Sequence, residues 1–184
     1  MDKVVISVLG TDRPGIVAAV SKVLMERRCN VEDVTQTILQ GEFVGILIAT
    51  VPQGASPESL REELGRSLDP LGLRLLLKRL EPHALPVSSE ASEPFVVVTN
   101  GPDRLGLVAG ITSVMARFGV NITHLKAAFR GGDDPRRNTM IYEVDVPLSV
   151  DRKRFLGALQ DEARALGLEL SVQHRDIFET INRI

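Results

Sequence analysis

The chain has 184 residues, of which 43% are hydrophobic and 25% charged, the composition of a globular protein with one large domain or two small ones. Its net charge of −2 supplies no basic excess for neutralising phosphates, which argues against a general nucleic-acid binder. The single cysteine, Cys29, excludes a disulfide framework and places the expected setting in a reducing cytoplasm. The first residues lack the basic segment and apolar core of a signal peptide, and no run of about 18 apolar residues is present to span a membrane.

Residues 4–9 form an apolar, β-branched run closed by Gly10, the pattern of a buried strand. Pro14 and Gly15 open a helix, for which Asp12 is the expected cap. Ile16, Val17, Val20, Val23 and Leu24 make its apolar stripe, and Asn30 is the expected stop. A strand over 31–40, a turn at Gly41 and Glu42, and a second apolar strand over 43–51 come next. Ser56 and Pro57 start another helix, with Leu60, Leu64 and Leu68 on its buried side, and the last strand is expected over 73–80. The order β-α-β-β-α-β is that of a ferredoxin-like sandwich.

The pattern then repeats. At an offset of 91, nine of the 31 pairs between 4–34 and 95–125 are identical, among them Gly10/Gly101, Asp12/Asp103, Arg13/Arg104, Gly15/Gly106 and Asn30/Asn121. Val51 and Pro52 match Val146 and Pro147 at an offset of 95, so the second copy carries four extra residues. The stretch Gly131, Gly132, Asp133, Asp134, Pro135 is turn chemistry and the natural place for them. The sequence therefore predicts an α+β chain of two antiparallel four-stranded sheets in tandem, each with its helices on one face. The expected divisions are a first domain over 1–81, a linker over 82–93 containing Pro82 and Pro86, a second domain over 94–176 and a tail over 177–184. Ile177, Phe178, Ile181 and Ile184 give the tail helical spacing, suited to docking. The central strands are apolar on both faces, which predicts that the open face of the sheet is covered by the sister module or by another subunit.

Two kinds of position can carry chemistry. The loops before the first helix of each copy present backbone N–H groups at a helix N-terminus, where an anion such as a carboxylate fits; the same residues also serve simply to start a helix. Asn30 and Asn121 offer a donor and an acceptor to a ligand, or end a helix. His83, His124 and His174 have no metal-ligand spacing, Asp133 and Asp134 read as a solvated loop, and no cofactor fingerprint is present. An acylphosphatase-like hydrolase shares the topology but needs an Arg and an Asn; Arg13 lacks such a partner, and only Arg104 with Asn138 offers one. RNA recognition on the sheet needs exposed aromatics, and the third strands offer only Phe43 or Tyr142.

An apolar strand, then Asp12, Arg13, Pro14, Gly15, Ile16, Val17 opening a helix, then Cys29, Asn30, Val31 entering a strand, resembles the ACT domain. Asp103, Arg104, Leu105, Gly106, Leu107, Val108, with Gly119, Val120, Asn121, Ile122, resemble it again. The resemblance implies a regulatory module that binds amino acids where paired modules meet, with the strand-to-helix loop of one facing the early second strand of the other. Carried over, the ligand-binding residues are Thr11, Asp12, Arg13, Pro14, Gly15 and Asn30, and in the second copy Pro102, Asp103, Arg104, Leu105, Gly106 and Asn121. Leu105 departs from the motif proline, and Cys29 is taken to stand where glycine is usual. The hairpin around Gln40, Gly41, Glu42 and Phe43 is similar to that of double ACT proteins of the glycine cleavage system transcriptional repressor type. That likeness implies a non-enzymatic regulator. It would sense an amino acid such as glycine or serine and act through a protein partner, without a cofactor, a metal or direct nucleic-acid contact, as a homodimer or by pairing within the chain. Ligand is expected at the first loop and partner contact at the second copy's hairpin.

Overall fold

The computed structural model describes residues 2–80, 91–129 and 138–181. The chain divides into two compact units, Met1–Ala84 and Leu85–Ile184. In the first, β1 (Asp2–Thr11), α1 (Ile16–Glu26), β2 (Asn30–Leu39), β3 (Glu42–Val51), α2 (Pro57–Leu68) and β4 (Arg74–Arg79) succeed one another. The second has β5 (Ser92–Gly101), α3 (Leu107–Arg117), β6 (Asn121–Phe129), β7 (Asn138–Pro147), α4 (Arg152–Ala165) and β8 (Glu169–His174), and ends with α5 (Arg175–Ile181). The sheets are antiparallel, ordered β2-β3-β1-β4 and β6-β7-β5-β8. This is the expected βαββαβ sandwich, twice. No helix among the described residues is long and apolar enough to cross a membrane.

Period-two alternation sorts each strand into a core face and an open face. Val4, Ile6 and Val8 of β1 and Phe43, Leu47, Ala49 and Val51 of β3 are buried toward the helices. Ile16, Val20, Val23 and Leu24 of α1, and Leu60, Leu64 and Leu68 of α2, meet them from above. Ser56 caps α2 as expected, its Oγ accepting from the Ser59 N–H at 3.3 Å. Asp151 does the same for α4.

Several local expectations are corrected. Asp12 does not cap α1: Gly15 occupies the cap position at φ 99°, with no side-chain bond, and Gly106 repeats this at φ 88°. A left-handed backbone turns the chain into the helix directly, so the side chain of Asp12 is left in solvent. Val17 is exposed, 43%, because it sits on the flank of α1 facing the edge strand β2, where no further element closes over it. Asn30 and Asn121 do not end helices; each is the first residue of a strand. The helix α1 ends instead in a Schellman turn, with the N–H groups of Arg28 and Cys29 bonded to the carbonyls of Met25 and Leu24 at 2.9 and 2.8 Å. Arg28 takes the left-handed position, φ 54°, that Gly119 holds in the second copy at φ 66°. The residue standing for the usual glycine is thus Arg28 and not Cys29. The hairpin turn is formed by Gln40 and Gly41, one residue earlier than expected. The strand β5 begins at Ser92, inside the stretch expected as linker, and the terminal helix begins at Arg175. The glycine-rich hairpin tip of the second copy, and His83, lie outside the described residues.

Gly10 and Gly101 are identical between the copies for a packing reason. A Cβ on Gly10 would lie 3.2 Å from the Gly72 carbonyl and 2.9 Å from Leu73, and one on Gly101 would lie 3.0 Å from the Gly167 carbonyl and 2.7 Å from Leu168. The end of the first strand presses against the corner before the last strand in both units, and only glycine leaves room.

Candidate ligand site at the strand-to-helix loops

In the first unit, Thr11, Asp12, Arg13, Pro14 and Gly15 are all exposed. The loop is held by its backbone: the Asp12 N–H donates to the Gly41 carbonyl at 2.8 Å, tying it to the β2–β3 turn. The first intrahelical bond runs from Ala19 N to Gly15 O at 2.9 Å. The N–H groups of Ile16, Val17 and Ala18 therefore have no acceptor within the helix and face outward with the positive end of the helix dipole. In the second unit the first such bond is Gly110 N to Gly106 O, 2.8 Å. There Asp103, Leu105 and Gly106 are exposed, while the Arg104 guanidinium lies over Gly167 at the α4–β8 corner, 3.5 Å from where a Cβ would be. Pro102 is half-buried beside them.

Asn30 is far from its own loop. It pairs with Thr50 at the far end of β2, whereas the loop comes after Thr11, which pairs with Glu42 at the hairpin end. Along β3 the two rows are eight residues apart, from Thr50 to Glu42, roughly 27 Å. Asn121, opposite Asp145, is placed likewise. One module therefore does not bring its loop and its Asn together. A site made of both takes the loop from one module and the Asn from another.

The first unit leaves room for that pairing. All ten residues of β2 are exposed, and its outer edge is unpaired among the described residues. Val34 and Ile38 lie on its helix-side face, by register with Leu47 and Phe43, yet both are more than half exposed. Val34 and Val17 border a narrow apolar cleft between α1 and β2 of about 10 Å³, space for one water at most. The unpaired module thus has the loop and an apolar flank, and the cleft between α1 and β2 is far smaller than an amino acid.

Electrostatics add two details. Glu32, in the bulge of β2, accepts from Lys3 Nζ at 2.5 Å and from the Thr50 hydroxyl. The Lys3 bond foremost, then that from Thr50, hold its carboxyl below the ordinary carboxylate range. Burial raises the Cys29 thiol, against a smaller opposing effect of Arg27, so this cysteine is not poised as a nucleophile. Among the described residues, no group of three or more His, Cys, Asp or Glu could hold a metal ion.

A cluster on the open face of the second sheet had no sequence signal. Arg175, at the start of α5, pairs with Asp145 at 3.4 Å and Glu143 at 3.7 Å, and contacts the Thr123 hydroxyl at 3.4 Å. These residues come from three elements far apart in sequence, so nothing in local spacing could have joined them. Asn138 lies at the start of β7, 3% exposed, and neither its amide N nor its O has a hydrogen-bond partner among the described residues.

Residues 2–78 match the family model of the ACT domain. Among curated proteins, the UPF0237 protein of Methanopyrus kandleri is 38% identical over 79 residues, which is 42% of this chain and 88% of that protein. Among solved structures, a protein of unknown function from Galdieria sulphuraria aligns over 94% of this chain and 98% of its own, with 23% identity and a TM-score of 0.77. A protein provisionally assigned as a glycine cleavage system transcriptional repressor aligns over 94% and 96%, with 22% identity and a TM-score of 0.64. At these identities the two structures share the fold.

Proposed function

This chain belongs to the ACT domain family and, by its first unit, to the UPF0237 family; on that premise we propose that it is a non-enzymatic regulator that senses a small amino acid, such as glycine or serine. The observation that carries the reading is the separation of each loop from its own Asn. The free N–H groups of Ile16, Val17 and Ala18 receive the ligand carboxylate, which suits the end of the dipole. Asn30 or Asn121 of a facing module supplies the amide that holds the ligand's amino group. Antiparallel pairing along an edge such as β2 brings the early strand of one module to the loop of the other, and buries Val34 and Ile38. Gly15 leaves the approach open, since nothing lies within 4 Å of the position a Cβ would take.

Ligand then acts by linkage. It binds the paired arrangement and not the separated one, so it shifts the population toward pairing, and a protein partner reads the change. Regulation of amino-acid metabolism at the level of transcription, through such a partner, is the fitting output. A cytoplasmic location accords with it.

Calorimetric titration of dialysed protein with the twenty common amino acids tests the sensing step. Heat with glycine or serine, reduced at least tenfold in affinity by Asn30→Ala or Asn121→Ala, is expected. Silence across the set overturns it. Acyl-phosphate hydrolysis is expected to stay at the background rate; turnover lost in Arg104→Ala would replace the regulator with the hydrolase.

A further inference from the structure

We infer that the open sheet face of the first unit is an interface that pairs with the same face of a second copy of this chain. The face is read from the register. Across β2, β3, β1 and β4 it presents three rows: Asp33, Ile48, Val5, Lys78; then Thr35, Ile46, Ser7, Leu76; then Thr37, Val44, Leu9, Arg74. The centre is apolar and the two rims differ in charge. Leu9, Ile46 and Leu76 are 49%, 42% and 63% exposed, so no other element of the first unit covers them. Asp33, Arg74 and Lys78 have no ion-pair partner among the described residues.

The charge pattern selects the occupant. Consider a two-fold axis parallel to the strands, lying between two such faces. It sets β2 of one copy over β4 of the other and keeps each row in register. Asp33 then faces Lys78, and by symmetry this happens twice. Ile48 faces Val5, and Ile46 faces the small Ser7, which leaves room for it. A self-complementary patch of this kind is what an isologous dimer requires, and facing sheets pack at about 10 Å with strands nearly aligned. A four-stranded face is about 19 Å wide and 33 Å long, roughly 600 Å² per copy, so two copies cover about 1,200 Å², the lower bound for a stable specific pair. The second unit does not offer such a face. Its central strand places Glu143 and Asp145 there, and Arg175 of α5 is bound to them.

The inference is independent of any ligand, and it concerns the sheet face and not the β2 edge. Sedimentation of the full chain at micromolar concentration is the test, with circular dichroism to confirm folding. The wild type is expected at twice the chain mass. Ile46→Asp should raise the dimer dissociation constant by about 100-fold, and Lys78→Glu by about tenfold. The double variant Lys78→Glu with Asp33→Lys should return it to within about threefold of wild type, because the pairs are reversed and not removed. Lys78 is exposed on the opposite edge of the sheet from β2, so this variant reports on the face even if Ile46→Asp fails to fold. A single-chain mass at all concentrations overturns the inference. So does a dimer whose constant Lys78→Glu leaves unchanged, which would assign pairing to an edge.

Discussion

The two units share a fold and differ in what they leave unsatisfied. The first has an apolar core throughout; the second places polar groups in it. Val8, Phe43 and Leu47 of the first correspond by register to Thr99, Asn138 and Tyr142 of the second. Phe43 folds back over Gly45, whose missing Cβ leaves the ring its place, 2.9 Å from where that atom would sit. In the second unit Met140 occupies the Gly45 position, and the Tyr142 hydroxyl contacts its Sδ at 3.3 Å. Burial pushes the Tyr142 phenol up to about 12, so it stays neutral. On the open face the contrast is reversed: the first unit is apolar and bare, whereas the second carries charge and binds its own terminal helix. The two modules thus keep one fold while their interiors and their open faces differ in polarity.

The largest test of this difference is Arg175→Ala. It leaves Glu143 and Asp145 side by side without their cation and loosens α5, and should cost about 2 kcal/mol, since the pairs are partly buried. Hydrogen exchange should rise in α5 and β7 while the first unit is unchanged; protection retained in α5 would show that its apolar contacts alone hold it. Next, Asn138→Leu removes an amide whose two polar atoms are buried without partners among the described residues, so the second unit should gain about 1–2 kcal/mol in chemical denaturation. A loss would mean that the amide is satisfied in solution. Third, Arg28→Gly gives the first unit the glycine that the second has at the same left-handed position, and should add about 1 kcal/mol. Gly119→Arg should subtract a similar amount, and unequal responses would show that the two turns differ in more than this residue.

The smallest effect is electrostatic. The Glu32 carboxyl is held below its usual range, so its bonds with Lys3 and Thr50 stabilise the fold above the ordinary carboxylate pKa, and that contribution is lost as pH falls through the depressed folded value. Glu32→Gln should therefore lower the melting temperature slightly at pH 7 and have no effect once the carboxylate is protonated. An equal effect at both ends of the range would assign the loss to hydrogen bonding and not to charge.

The repeat, the element order and most of the core were legible because they rest on periodicity. Leu60, Leu64 and Leu68 are buried where a 3.6-residue period puts them, and Ser56 caps its helix because capping is a contact three residues long. The loop residues of the candidate site could be located in the same way. Their relation to Asn30 could not, since the residues alone read Asn30 as the stop of a helix and only the family resemblance set it against the loop of another module. Asp12 was a reasonable cap by residue type, but Gly15 had already taken the left-handed turn that makes a side-chain cap unnecessary. Val17 fits the helical stripe, and is exposed because the stripe is wider than the neighbour that covers it.

By itself, then, the sequence determined two βαββαβ modules, their strands and helices, and the two loops that open a helix with free N–H groups. These are local properties, set by side-chain period and backbone preference. Only the tertiary structure decided that each loop lies an entire strand away from its own Asn, that Arg175 ties α5 to two carboxylates, and that the first unit carries an apolar face with opposite charges on its rims. Those depend on register and on contacts between elements far apart in the chain, which local pattern does not encode.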